Sequence, residues 1–266
     1  MHSRSVAAVL SGVLLLLPRV ALACGVSAQA PLRPAISLAD YVPETGTPGV
    51  AVTFLGHASF LIESPAHVTI VTDYNGYNIP PDPPVIATMN HAHSTHYTDT
   101  PDPRIKYVLR GWKIGDKIPD YDLTVQDVHV RNLPTNIRDW NGGTEYYGNS
   151  VFVFETAGLC IAHLSHLHHL LTDEDVAALG PLDVVMMPVD GVWTMNHEDI
   201  AKVMQSLHAP LYIPFHYFGD MGLLARFLRV VDGQYVVKRS DTPTVTLTRE
   251  TLPMSPEILV LPGLPG

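Results

Sequence analysis

Asn90-His91-Ala92-His93-Ser94-Thr95-His96-Tyr97 places three histidines at spacings of two and three. They follow residues 85–89, an apolar run that reads as a buried strand, as does the run at 68–72. The histidines therefore lie on a loop leaving the C-terminal end of a strand. Short offsets on a loop let several imidazoles converge, and neutral imidazole is the commonest protein ligand for transition metals. Two later apolar runs, 159–162 and 211–214, end directly in His163 and His216. Ends of core strands in α/β proteins are where sites are built. The pattern points to a metal site assembled from several strand ends.

The chain has 266 residues, 46% of them hydrophobic and 16% charged, enough for a packed core. Its formal net charge of -10 argues against nucleic acid as a partner, because phosphate binding needs a basic footprint. Residues 1–23 read as a signal peptide: Arg4, an apolar run over 6–18, then Ala21-Leu22-Ala23 as a small-x-small cleavage site. The run is short for a membrane span, so no integral membrane segment is expected after cleavage. The expected location is periplasmic or secreted, with lipid anchoring through Cys24 as the lesser alternative. Residues 24–48 read as an extended leader and 49–266 as a single domain. Cys160, in an apolar run, reads as a small buried hydrophobe.

Strand patterns dominate the first half: 50–55, 60–63, 68–72, 85–89, 107–109, 123–126 and 128–132. Residues 135–149 read as a loop or hairpin tip, then 150–155 and 159–162 as a hairpin. Thr172 before Asp173-Glu174-Asp175 caps a helix that Gly180-Pro181 stops. Residues 184–188 form an apolar strand, Asn196 opens a helix with Ile200, Val203, Met204 and Leu207 on one face, and 223–230 is a short helix. Two polar-alternating strands are expected within 234–249, and the tail from Leu252 reads as Pro-rich. Two packed sheets with helices outside fit this order.

The ordered set Thr53-Phe-Leu-Gly-His-Ala-Ser-Phe-Leu-Ile62, Val71-Thr-Asp73, His91-Ala-His93-Ser-Thr-His96, Ile161-Ala-His163-Leu164, Met187-Pro-Val189 and Ile213-Pro-Phe-His216-Tyr217 resembles the metallo-β-lactamase superfamily. Within it the chain looks most like the ascorbate-phosphate lactonase-like and RomA-like hydrolases. The resemblance implies an α/β fold, the four-layer αβ/βα sandwich, with the metal site at one edge between the sheets. It implies a first site from His91, His93 and His163, and a second from His96 and His216. Two positions depart from the family pattern. Thr95 stands where the motif His-x-His-x-Asp-His has its Asp, and His166 stands where a bridging Asp is usual. A carboxylate can bridge two cations and cancel part of their charge, whereas an imidazole donates one nitrogen and stays neutral. One ion is therefore favoured over two, with His166 as a further candidate ligand.

Three nitrogens and an open position suit catalytic zinc, and imidazole also suits iron or copper. A metal lowers the pKa of bound water toward roughly 7, giving hydroxide for attack on a carbonyl or phosphoryl centre. The expected function is a secreted metal-dependent hydrolase of a small ester, lactone or phosphoester. A mononuclear iron or copper redox enzyme and a degenerate metal- or ligand-binding member are the alternatives. His96 is the candidate base, and His57 and Asp73 are candidates for supporting a ligand imidazole. Asp190 is a further carboxylate that could replace a lost charge. Trp112, Trp140, Tyr146, Tyr147 and Trp193 are candidate pocket linings. The expected partner is a small-molecule substrate; self-association is left open.

Overall fold

In the computed structural model, residues 49–139, 141–217 and 221–263 are described. Residues 1–48, read above as a signal peptide and a leader with Cys24, and Trp140 lie outside the described residues. The elements run β1 Val50–Gly56, β2 Ser59–Glu63, β3 Thr69–Val71, β4 Ile86–Met89, β5 Tyr107–Arg110, β6 Asp122–Val125, β7 Val128–Arg138, β8 Thr144–Thr156 and β9 Leu159–His163. Then follow α1 Asp173–Leu179, β10 Val184–Pro188, α2 His197–Leu207, β11 Leu211–Phe215, α3 Met221–Val230, β12 Val236–Arg239, β13 Thr244–Leu247, a 3-10 turn at Arg249–Thr251, and β14 Glu257–Val260.

The strands form two mixed sheets, β13-β1-β2-β3-β4-β5 and β12-β14-β11-β10-β9-β8-β7-β6. In the first, β3, β4 and β5 are parallel; in the second, β9, β10, β11, β14 and β12 are parallel. Fully apolar β10 and β11 are buried along their whole length, as expected of parallel strands covered on both faces. Strand β1 alternates instead, turning Val50, Val52 and Phe54 inward. One continuous core fills the space between the sheets, joining Phe54, Phe60 and Ile70 of the first to Phe154, Ile161 and Phe215 of the second. Phe60 is its hinge: its ring lies 4.8 Å from Phe54, 5.8 Å from Phe215 and 5.9 Å from His163.

Helix α1 begins with a capping box from Thr172 and Asp175, and α2 is capped by Asn196, as the sequence predicts. All three helices fall in the chain between β9 and β12, whose strands belong to the second sheet. The α/β sandwich is what forms, but the outer face of the first sheet is covered by loops. There Leu55, Val71, Tyr74, Ala87, Met89 and Ile105 make a second, smaller core with Tyr97 and Trp112 against it. No helix of the described residues is long and apolar enough to cross a membrane.

Two expectations are corrected. The stretch 135–149 is mostly strand: β7 and β8 run on to Arg138 and from Thr144, leaving a tip at 139–143. The Pro-rich tail contains β14, which pairs parallel with both β11 and β12. Cys160 is fully buried.

Because Phe60 fills the join between the sheets, Phe60→Ala should cost about 3–5 kcal/mol. Urea denaturation of the metal-free chain measures this as a fall in the midpoint at unchanged slope.

Candidate metal centre

Every group at the site leaves the C-terminal end of a strand. Asp73 follows β3, residues 90–96 follow β4, Ser165 and His166 follow β9, Asp190 follows β10, and His216 follows β11. Parallel pairing within each sheet brings these ends to one edge. The β1–β2 turn, His57-Ala58, closes the same edge: the His216 N–H donates to the His57 carbonyl at 2.9 Å. Asp73, Ser165 and His216 have positive φ, turning the chain out of its strand into the site.

His93, His96, His166 and His216 converge, with one ring nitrogen of each lying within 4.8 Å of the others. Three of these rings are held from behind. Nδ1 of His96 bonds Asp73 Oδ2 at 2.7 Å, Nδ1 of His216 bonds Asp190 Oδ2 at 2.8 Å, and Nδ1 of His93 bonds Thr95 Oγ1 at 2.6 Å. Each anchor leaves Nε2 to face the cluster centre. His166 differs: both its ring nitrogens are buried and bond nothing among the described residues.

The carboxylates are themselves held. Asp73 Oδ1 accepts from Ser165 Oγ at 2.7 Å, and Ser165 Oγ accepts from Asn90 Nδ2 at 2.6 Å. Asp190 Oδ1 accepts from the backbone amides of Val192, Trp193 and Thr194, and Oδ2 also accepts from Thr194 Oγ1 at 2.6 Å. Gly191 permits this loop: its φ is +74°, and a Cβ there would strike the His197 ring. Burial pushes the Asp73 carboxyl up to about 8 against hydrogen bonds from Ser165 and Asn90. Burial raises Asp190 too, but bonds from His216, Thr194 and the Val192 amide outweigh it and hold it below the usual carboxylate range. Burial first, then neighbouring imidazoles, lowers His93 to about 4 and His57 to about 3, and holds His96 and His166 well below the ordinary value. The site favours neutral imidazole, the form that binds metal.

The residues present fit one metal ion. Nε2 of His96 and Nε2 of His216 are 3.3 Å apart. Two nitrogens on one tetrahedral zinc-sized ion, each about 2.0–2.1 Å from it, are separated by about 3.3–3.4 Å. The carboxylate–imidazole pairs behind His96 and His216 are the arrangement that orients metal-ligating histidines. Among the described residues no carboxylate joins the cluster to bridge a second ion, and Asp73 and Asp190 both face Nδ1 atoms.

The structure does not bring all the expected ligands together. His91 turns outward: Nδ1 bonds Glu145 at 2.7 Å, and its ring stacks on Trp112 at 5.3 Å. Its backbone N–H is held by the Gly148 carbonyl, so the chain reverses between His91 and His93. His163 is the last residue of β9 and points into the core between the sheets, stacked on Phe215 at 4.8 Å, with Nε2 donating to the Ala58 carbonyl at 3.0 Å. The left-handed turn at Ser165 delivers His166 into the cluster instead. His96, the candidate base, gives Nδ1 to Asp73 and turns Nε2 toward Nε2 of His216. His57 lies beside the cluster, 4.6 Å from the His216 ring and 5.0 Å from that of His96. Asp73 supports His96, as an outer group would.

Residues 51–216 match the beta-lactamase superfamily domain. The chain belongs to this superfamily. It is similar to a UPF0173 metal-dependent hydrolase of Pyrococcus furiosus, 25% identical over 190 residues, 63% of this chain and 84% of the relative. A second such hydrolase, from Pyrococcus abyssi, is 26% identical over 195 residues, with 63% and 84% covered. Among solved structures, a candidate zinc-dependent hydrolase of the metallo-beta-lactamase superfamily from Thermotoga maritima superposes with a TM-score of 0.58 at 26% identity, covering 80% of this chain and 98% of that one. A metal-dependent hydrolase candidate from Parabacteroides distasonis gives 0.55 at 14% identity over 70% and 89%, a likeness of fold alone. This superfamily member is a hydrolase, and its histidine cluster could hold the metal.

The hydrolase's site opens into a cleft of about 190 Å³ whose lining includes His93, His166, Arg138, Asp139 and Trp193. Sequence reasoning passed over Arg138, Ser165 and Asn90. Asp190 carried a usable signal, because it follows an apolar strand end just as the histidines do.

His93→Ala should abolish stoichiometric metal binding and His91→Ala should leave it intact, read by metal analysis after dialysis. Asp190→Asn should weaken metal binding tenfold to a hundredfold, measured by competition with a chelator. Burial lowers His163 from 6.5 to about 3. The folded chain then holds fewer protons than the unfolded chain between these values. Its contribution is complete above about pH 6.5 and is lost as pH falls toward 3. His163→Gln should flatten the acid limb of the stability–pH curve by up to about 1.4 kcal/mol per pH unit.

Proposed function

We propose that the chain hydrolyses a small ester, lactone or phosphoester with one metal ion, zinc, held by His93, His96 and His216. The observation that carries this reading is the pair of Nε2 atoms of His96 and His216. They face each other at 3.3 Å, each aimed from behind by a buried carboxylate. With Nδ1 of each ring donating to its carboxylate, the two Nε2 lone pairs face each other, an approach that a cation between them would resolve. When bound, such an ion supplies Lewis acidity and makes water acidic enough to act as a nucleophile near neutral pH.

The remaining work falls to the chain. Asp73, Asp190 and Thr95 fix the orientation of three rings, so ligand geometry is set before metal arrives. His166 would accept a proton from water at a ring nitrogen, or complete the metal's shell, since it borders the cleft and its ring nitrogens bond nothing among the described residues. His57 packs edge-on against the His216 ring and restricts it. The buried floor excludes bulk water from the reacting centre; only His93 among the four is half-exposed. An all-imidazole donor set also accepts iron or copper, and the metal found identifies which chemistry is run. The export reading of residues 1–23 supports a periplasmic or secreted enzyme.

Metal analysis of protein purified without added metal should give one ion per chain, and His96→Ala and His216→Ala should each lose it. Two ions per chain, or full retention in those variants, would falsify the single-ion reading. Stoichiometric iron or copper would replace hydrolysis by redox chemistry. His166→Ala that keeps its metal but loses at least a hundredfold in kcat on an activated ester identifies His166 as proton acceptor; loss of metal identifies it as a ligand.

A further inference from the structure

We propose that Arg138 is the specificity anchor of the cleft and binds an anionic group of the substrate, a carboxylate or a phosphoryl group. This rests on the metal-centred reading above only for where the scissile bond lies. Arg138 is the last residue of β7 and lines the same cleft as His93 and His166. Its side chain is exposed, and the one hydrogen bond it makes among the described residues, from Nη2 to the Thr194 carbonyl, is long at 3.5 Å.

Three arginines pair with carboxylates and others, Arg110 and Arg239 among them, pair with none among the described residues; what sets Arg138 apart is its place in the cleft. Arg104, Arg131 and Arg249 each meet a carboxylate at 2.7 Å. Arg138 meets none among the described residues. Asp139, beside it and also lining the cleft, does not neutralise it: Oδ1 accepts the amides of Asn141 and Gly143, and the carboxylate folds back over the hairpin tip against Gly143. In a chain of net charge -10, a guanidinium in the cleft beside the cluster that meets no carboxylate among the described residues leaves donors open to an anion. Its planar fork of donors matches a carboxylate or phosphoryl group bidentately.

The opposite wall is in register with the metal centre. Asp190, which holds His216, also holds the backbone of Trp193, and Arg138 reaches the next residue's carbonyl. Trp193 is 58% exposed, so its indole is free to cover an apolar portion of the same molecule. Arg138, Trp193 and the imidazoles thus grip the anion, the body and the reacting bond of one small substrate.

The test uses binding, so it does not depend on turnover. The metal-loaded full chain is titrated calorimetrically with succinate, inorganic phosphate and neutral succinamide, in wild type, Arg138→Gln and Arg138→Lys. Wild type should bind at least one anion tenfold or more tightly than succinamide. Arg138→Gln should lose at least tenfold of that affinity with metal content unchanged, and Arg138→Lys should retain part of it. A loss confined to succinate assigns the anion as carboxylate; a loss confined to phosphate assigns it as phosphoryl. Equal anion affinity in wild type and Arg138→Gln, or no preference over succinamide in wild type, overturns the proposal. If the chain takes up no metal, the metal-centred reading fails, while the same Arg138 comparison on the metal-free chain still decides the anion site.

Discussion

Two buried carboxylates at strand ends of different sheets each fix the back of an imidazole, and the site's geometry follows from that constraint. Asp73 comes from the first sheet and aims His96; Asp190 comes from the second and aims His216. A buried carboxylate is costly unless its oxygens are satisfied. The donors that satisfy these two are therefore part of the site: Ser165 and Asn90 for Asp73, and the amides of residues 192–194 for Asp190. Ser165 belongs to the second sheet and Asp73 to the first, so the same bonds that orient ligands also lock the sheets together. His163, donating to Ala58 across the core, and the His216 amide, donating to His57, add to that lock.

The metal-site substitutions become intelligible in this frame. Thr95 cannot bridge cations, yet its hydroxyl anchors His93. His166 in place of a bridging carboxylate adds a fourth nitrogen and takes away a negative charge. The net effect is a cluster of four imidazoles, with the carboxyl groups of Asp73 and Asp190 one layer out behind His96 and His216. Three anchored rings and one unanchored ring also divide the labour: rigidity where the ion is held, freedom where the cleft begins.

Much of the fold was legible because its core strands are short, apolar and bounded by turn residues. The runs that became β1 to β4, β10 and β11 needed only their burial pattern. Strand β14 was not legible: Glu257-Ile258-Leu259-Val260 is short and framed by prolines, and it becomes a strand because β11 and β12 offer it partners on both sides. The extensions of β7 and β8 were hidden for the same reason. Their Asn, Gly and Glu residues have weak strand preference, and pairing over eleven and thirteen residues overrides it.

By itself the sequence determined that histidines crowd at the ends of core strands, that such ends gather at one edge, and that two expected carboxylates are replaced by Thr95 and His166. The first two conclusions depend on periodicity and spacing, which are local; the third rests on the resemblance to the metallo-β-lactamase superfamily. Only the tertiary structure decided which imidazoles share a centre. His91 and His93 are two residues apart and face opposite ways, and His163 and His166 are three apart with one in the core and the other in the site. At a strand exit one or two backbone dihedrals set a side chain's direction, and here those dihedrals are fixed by bonds to Gly148, Asn149 and Asp73, distant in sequence. The orienting roles of Asp73 and Asp190 arise in the same way, from contacts that exist only once the two sheets have met.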